Sequence, residues 1–264
     1  MLETNPFSIL AETVSPFAMQ SFIIAMILMI AFGTIIQMIQ HKNLTYFLNN
    51  AKKAKLQATR EIGTGERMSI LAKTAVVDIG TTSELGFGKR RLSHVLGMYG
   101  TIIFWVSSAM LVFCYTGADK SSSTTWSMLW HVGAILTCIG GYWFWLFLRV
   151  DVSAEAHPWY RIIKADLFVL ALLACSTFGL AWSYTQFNGQ VGLSFLFLTL
   201  FVASNLVLFG GVYWSKFAHM FYKPGAAIQK NLAEADGSRD NLPPLSDAPK
   251  QFGLGIKREE PKHY

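Results

Sequence analysis

The sequence predicts an all-α, polytopic membrane helical bundle with five transmembrane helices. Three observations lead there. Only 14% of the 264 residues are charged and 52% are hydrophobic, whereas an ordinary soluble domain is about 25% charged. The deficit is concentrated: Asp, Glu, Lys and Arg are absent from 13–41, 92–118, 121–148 and 167–215. None of these runs alternates apolar with polar residues, which excludes a β-barrel. The same facts exclude a soluble globule, a disordered chain and a disulfide scaffold.

A helix rises about 1.5 Å per residue, so about 20 residues cross the hydrocarbon. The first three spans are Phe17–Gln40, His94–Thr116 and Trp126–Leu148. The fourth run is too long for one helix. Its polar, turn-forming cluster Gln186-Phe187-Asn188-Gly189-Gln190 divides it into Leu167–Thr185 and Val191–Trp214. The expected organisation is an external N-terminal segment 1–16, the first span 17–40 and a basic cytoplasmic loop 41–91. The other four spans follow over 92–218, and then a proline-containing cytoplasmic tail, 219–264.

Basic residues set the expected orientation. Loop 41–91 holds ten Lys and Arg, 149–166 holds three and 216–264 holds eight, so 21 of 22 fall on one side and Lys120 alone on the other. Lys and Arg stay in the cytoplasm. The N-terminus is therefore expected outside and the C-terminus inside, and the net charge of +6 reflects topology and need not mean nucleic acid. Trp126, Trp130, Trp182 and Tyr184 fall at outer ends; Tyr142, Trp143, Trp145, Tyr213 and Trp214 fall toward inner ones, as in an interfacial belt. The acidic N-terminus lacks the pattern of a cleavable signal, and no internal repeat points to an inverted-repeat transporter.

Leu44–Thr59 mixes Leu44, Phe47, Leu48 and Leu56 with Lys52, Lys53 and Lys55, the composition of an amphipathic helix on the inner surface. A second helical stretch follows near 67–78, then the glycine-rich 80–88. Two readings stand: a basic surface held to anionic lipid, or a docking platform. The tail has five prolines and little apolar periodicity, so it does not fold alone. Its apolar island, 251–257, suits folding on a partner or plain disorder.

Cys114, Cys138 and Cys175 lie in different helices, which argues against iron–sulfur and structural zinc sites. No charged residue lies deep in a span, which argues against a proton-coupled carrier. Asp166 stands at the inner end of the fourth helix, where a carboxylate suits the positive helix terminus. That leaves histidine. His41, His94 and His219 lie near the inner surface. A b-type haem needs two axial ligands from facing helices at one depth. Arg90 and Arg91 could pair with its propionates. Against this, His94 and His219 differ in depth by six residues, about 9 Å, and both equally suit interfacial polar positions. His131 stands alone about two turns into the third helix. It can donate to a quinone carbonyl, or pack against Ser127, Thr137 or Tyr142. His157, before Pro158-Trp159-Tyr160-Arg161, reads as an interfacial anchor.

Two segments carry a resemblance: Lys89-Arg90-Arg91-Leu92-Ser93-His94-Val95-Leu96-Gly97-Met98-Tyr99-Gly100, and Ser215-Lys216-Phe217-Ala218-His219-Met220-Phe221-Tyr222-Lys223-Pro224-Gly225-Ala226-Ala227. From residue 17 onward the chain resembles the five-helix membrane subunits of respiratory redox complexes. These include the nitrate reductase gamma subunit and the membrane subunit of heterodisulfide reductase. With the tail Gln251-Phe252-Gly253-Leu254-Gly255-Ile256-Lys257-Arg258-Glu259 it looks most like the adenylylsulfate reductase membrane anchor of sulfur oxidisers.

The resemblance implies a bacterial inner-membrane anchor and electron-transfer subunit. It would link a cytoplasmic flavin and iron–sulfur oxidoreductase to the membrane quinone pool, with no chemistry on the sulfur substrate itself. It places His94, and His219 with it, as haem b ligands. The second histidines of the two-haem subunits have no counterpart after His94 or before His219, so at most one haem b is implied. A cofactor-free structural anchor is the main alternative, and a small-solute permease the other.

Overall fold

The computed structural model describes residues 1–40, 42–85, 88–116, 123–149, 160–215 and 219–238. His41, Lys120, His157 and the apolar island at 251–257 lie outside them. Every element among the described residues is helical: α1 (Pro6–Leu10), α2 (Pro16–Gln40), α3 (Asn43–Gln57), α4 (Thr64–Lys73), α5 (Lys89–Cys114), α6 (Thr124–Trp143), α7 (Leu167–Phe187), α8 (Val191–Gly210) and α9 (His219–Ala235). The chain divides into two compact units, Met1–Gln37 with Leu92–Ala218, and Met38–Arg91 with His219–Tyr264.

Five helices among the described residues are long and apolar enough to cross a membrane, and all but the ends of the first two lie in the first unit: Pro16–Gln40, Lys89–Cys114, Thr124–Leu148, Lys164–Phe187 and Val191–Tyr213. The second of these starts five residues before His94. Lys89, Arg90 and Arg91 are good helix formers, so the charges that end an apolar run do not end the helix. The turn between α7 and α8 falls where the polar cluster places it, with Gly189 at φ +68°, a conformation glycine adopts without a steric penalty.

Several hydroxyls within these helices are satisfied internally, those of Thr34 and Ser107 being buried exceptions. Ser108 donates to Phe104 O (2.8 Å), Thr137 to Gly133 O (2.9 Å), Ser176 to Leu172 O (3.1 Å) and Ser204 to Leu200 O (2.7 Å). This back-bonding spares a polar group from facing hydrocarbon alone. α5 and α6 approach until their backbones touch. A Cβ on Gly140 would lie 2.5 Å from Gly97 N and 2.6 Å from Ser93 O, and one on Gly100 would lie 2.5 Å from Thr137 N. Ser93 Oγ donates across this contact to Gly140 O at 2.8 Å. Glycine here serves close helix packing.

The segment before the first span packs onto the bundle. Asn5, fully buried, caps α1 by accepting from Phe7 N (3.0 Å) and donates to Tyr115 O at the end of α5 (3.2 Å). Phe7 then meets Trp130 and Trp182 edge-on, with centroids 5.8 and 5.4 Å away. Capping and aromatic burial together fix the segment. At the opposite end of α6, Arg149 forms an ion pair with Asp166, lies 4.2 Å over the Trp145 ring and donates to Arg161 O (2.9 Å). Asp166 is thus an ion-pair partner and not simply a solvated terminus.

The second unit joins the long interhelical loop to the segment after the fifth span. α3 turns its small face, with buried Ala54, inward and leaves Lys52, Lys53, Lys55 and Leu56 exposed. α4 runs on as a π-helical turn, Thr74–Gly80. α9 was not expected: seventeen residues that read as the start of a tail form a helix with Pro224 inside it. Ala227 and Ala233 are its buried residues, flanked by half-buried Pro224, Ile228, Asn231, Leu232 and Ala235, an inward face interrupted by proline and asparagine. Thr59 N and Oγ1 donate to Asp236 O (2.9 and 3.1 Å), and Arg60 Nε donates to Ala235 O. Beside this contact Gly237 has φ +78°, and a Cβ there would fall 2.1 Å from Thr59 Oγ1.

Candidate functional site: an apolar cleft and a buried histidine

Within the first unit α2 packs loosely; Met19 and Met26 are its buried residues. A cleft of about 530 Å³ opens between it and α5 and α8, closed at one end by Phe7, Leu10 and Val14. Its wall on α2 runs from Ala18 to Ile30, twelve residues or about 18 Å of helix. The aromatic wall includes Trp105 and Phe209, whose rings lie 5.2 Å apart. Two polar side chains interrupt the lining, Ser108 and Asn205. Ser108 accepts from Trp130 Nε1 at 2.9 Å while donating to Phe104 O. Asn205, 7% exposed, donates from Nδ2 to Phe201 O at 2.8 Å. That is one bond from a carboxamide able to make about four.

His131 lies behind this wall and is fully buried. Nδ1 is 2.7 Å from Ser127 O and therefore donates to it, and Nε2 is 2.8 Å from Ser183 Oγ and accepts. The donating Nδ1 fixes the tautomer. The ring also meets Trp130 edge-on at 4.8 Å. Of the partners expected from sequence, Ser127 is used through its carbonyl. Thr137 bonds elsewhere, and Tyr142 Oη lies 2.8 Å from Thr177 Oγ1. Both nitrogens of His131 are engaged within the bundle, and the residue does not line the cleft.

The other site candidates lie at the start of α5 and at the start of α9. His94 is exposed on the second turn of α5, while its neighbour Ser93 faces α6. It lies fourteen residues, about 21 Å, along α5 from Ser108. Arg90 is exposed, and Arg91 donates from Nε to Thr81 O (2.8 Å) and from its terminal nitrogen to Thr81 Oγ1 (2.7 Å). His219 opens α9 in the second unit, and its side chain is outside the described residues. At the level of His94 the α5–α6 contact is closed backbone to backbone. No group of three or more His, Cys, Asp or Glu suited to a metal occurs among the described residues.

Sequence reasoning followed charges, histidines and cysteines, and so passed over Asn205. Its signal is a lone carboxamide inside the apolar run 191–212. Fold and cleft together define an all-helical chain with five helices of membrane-spanning length and a hydrocarbon-lined site between them. Comparisons with protein-family models, with curated proteins and with solved structures find no match.

Proposed function

We propose that this chain is the membrane anchor and electron-transfer subunit of a cytoplasmic redox enzyme, and that it connects that enzyme to the membrane quinone pool. The resemblance of the segments around His94 and His219 to respiratory membrane subunits suggests adenylylsulfate reductase as the partner. In this reading the N-terminus is outside, the C-terminus is cytoplasmic, and the membrane is a bacterial inner membrane.

The observation that carries the reading is the second unit. A loop that only adsorbs to anionic lipid has no need of tertiary structure. Here loop and post-span segment are knitted by Asn231 to Thr74 and Asp78, by Thr59 to Asp236 and by Arg60 to Ala235. The folded unit presents Lys52, Lys53, Lys55, Arg67 and Lys73 outward. A folded basic surface suits an acidic protein partner, whose on-rate it would raise electrostatically. The test is flotation of adenylylsulfate reductase with neutral-lipid liposomes carrying the chain. Binding that falls with salt, and falls when Lys52, Lys53 and Lys55 are changed to Ser together, supports docking. No co-flotation at low salt overturns it.

A purely structural anchor is the second reading. It is favoured by His131, whose two nitrogens are engaged inside the bundle. Normal recruitment of the enzyme without chain-dependent quinone reduction would establish it.

A further inference from the structure

We propose that the cleft between α2, α5 and α8 binds a neutral, carbonyl-headed molecule on a long hydrocarbon chain, the chemistry of an isoprenoid quinone, and that Asn205 donates a hydrogen bond to its carbonyl. This places the quinone-linked reading at a particular site, but it needs no partner enzyme.

Three features select this ligand. The cleft holds about 530 Å³, within the range of small-molecule sites, and its length of about 18 Å suits a chain lying along the helices. Two of its wall residues on α2 are Met19 and Met26, unbranched side chains that adapt to a flexible occupant. The second feature is Asn205. A carboxamide facing a hydrocarbon cavity is costly unless it is paired, and this one makes a single hydrogen bond, to Phe201 O. Its second amide hydrogen is the donor a carbonyl would take. The third feature is depth. Asn205 lies eight residues from Tyr213 and fourteen from Val191, the ends of the span, or about 12 and 21 Å inside it. The ester carbonyls of a phospholipid sit near the headgroups, and pulling one to Asn205 would drag a charge into hydrocarbon. A quinone head has no charge and can descend that far. Ser108 is already bonded to Trp130 and Phe104, which leaves Asn205 and the indole of Trp105 as the polar groups of the lining; of these Asn205 is the carboxamide set deep in the span.

The test uses the full chain in detergent and quenching of its tryptophan fluorescence. Decylubiquinone is the carbonyl probe, and undecylbenzene has a similar chain without carbonyls. Wild type should bind both saturably, with decylubiquinone displacing undecylbenzene at a concentration at least about tenfold lower than the reverse exchange requires. Asn205→Leu should weaken decylubiquinone about tenfold and leave undecylbenzene unchanged, which also shows that the variant is folded. Ala109→Trp, filling the cleft, should abolish both. Equal potency of the two probes on wild type overturns the carbonyl assignment without recourse to any variant. Absence of saturable binding to wild type overturns the site. Dioleoylphosphatidylcholine displacing decylubiquinone at equal concentration would show an acyl-lipid site and overturn the depth argument.

Discussion

The side-chain amide of Asn231 donates to the Asp78 carboxylate and to the Thr74 hydroxyl, each at 2.7 Å, across 153 and 157 residues of sequence. Asp78 also accepts from Ser83 at 2.7 Å. One carboxamide thus closes α9 onto the turn that follows α4. Asn231→Leu removes both bonds and leaves a half-buried carboxylate short of a donor. We expect the second unit to lose about 1.5–3 kcal/mol, the range for hydrogen bonds to charged groups. Amide exchange across 225–235 measures it, and unchanged protection would contradict the role given to Asn231.

Acid should loosen the same unit. The Ser83 hydroxyl, and after it Asn231 with Lys73 and Lys230, holds the Asp78 carboxyl below its ordinary value despite partial burial. A group depressed on folding stabilises the fold above its unfolded value, about 3.9. That contribution is lost as pH falls through the lower folded-state value. The protection of α9 amides relative to their intrinsic exchange rates should therefore be flat from about pH 5 to 8 and fall below about pH 4. In Asp78→Asn the acid-dependent part should shrink.

The contact between α5 and α6 should tolerate no added carbon. Gly140→Ala forces a Cβ to within 2.5 Å of Gly97 N, so the helices must part. Overpacking of this kind costs about 1–3 kcal/mol, while the same substitution at Gly192, which meets nothing within 4 Å, serves as the control. Thermal denaturation in detergent should separate the two variants by several degrees.

His131 should behave as a pin between α6 and α7. His131→Leu takes the ring partner from buried Ser183 Oγ and the side-chain bond, though not the helical backbone bond, from Ser127 O. A loss of about 1–3 kcal/mol is expected from a buried group left unsatisfied. His131→Asn, able to reach only one of them, should recover part of it. Wild-type melting of His131→Leu would remove the residue from the structural account.

How much of this was legible in the sequence depends on which force shapes each element. The five spans were readable because hydrocarbon demands some twenty apolar residues whatever the fold, and the ends of α7 and α8 fell within four residues of expectation. α9 was not, because its short inward face is interrupted by Pro224 and Asn231 and it packs on α4 and the turn after it. α1 was hidden for a similar reason: five residues do not make a helix alone, and Asn5 and Phe7 are held by Tyr115, Trp130 and Trp182 from far along the chain. At the candidate site, His94, Arg90 and Arg91 could be named from their motif, and His131 from its isolation. The cleft could not, because a cavity comes from how loosely α2 packs and leaves no mark on local periodicity. Asn205 was visible but uninterpretable until the cleft placed it in a wall.

The most direct measurement is quinone reduction by the assembled system: the chain in liposomes containing decylubiquinone, with adenylylsulfate reductase, sulfite and AMP added outside. The account predicts sulfite- and AMP-dependent reduction that requires the chain and falls several-fold in Asn205→Leu. Reduction at the same rate in liposomes lacking the chain, or enzyme that binds the membrane while the quinone stays oxidised, would contradict it.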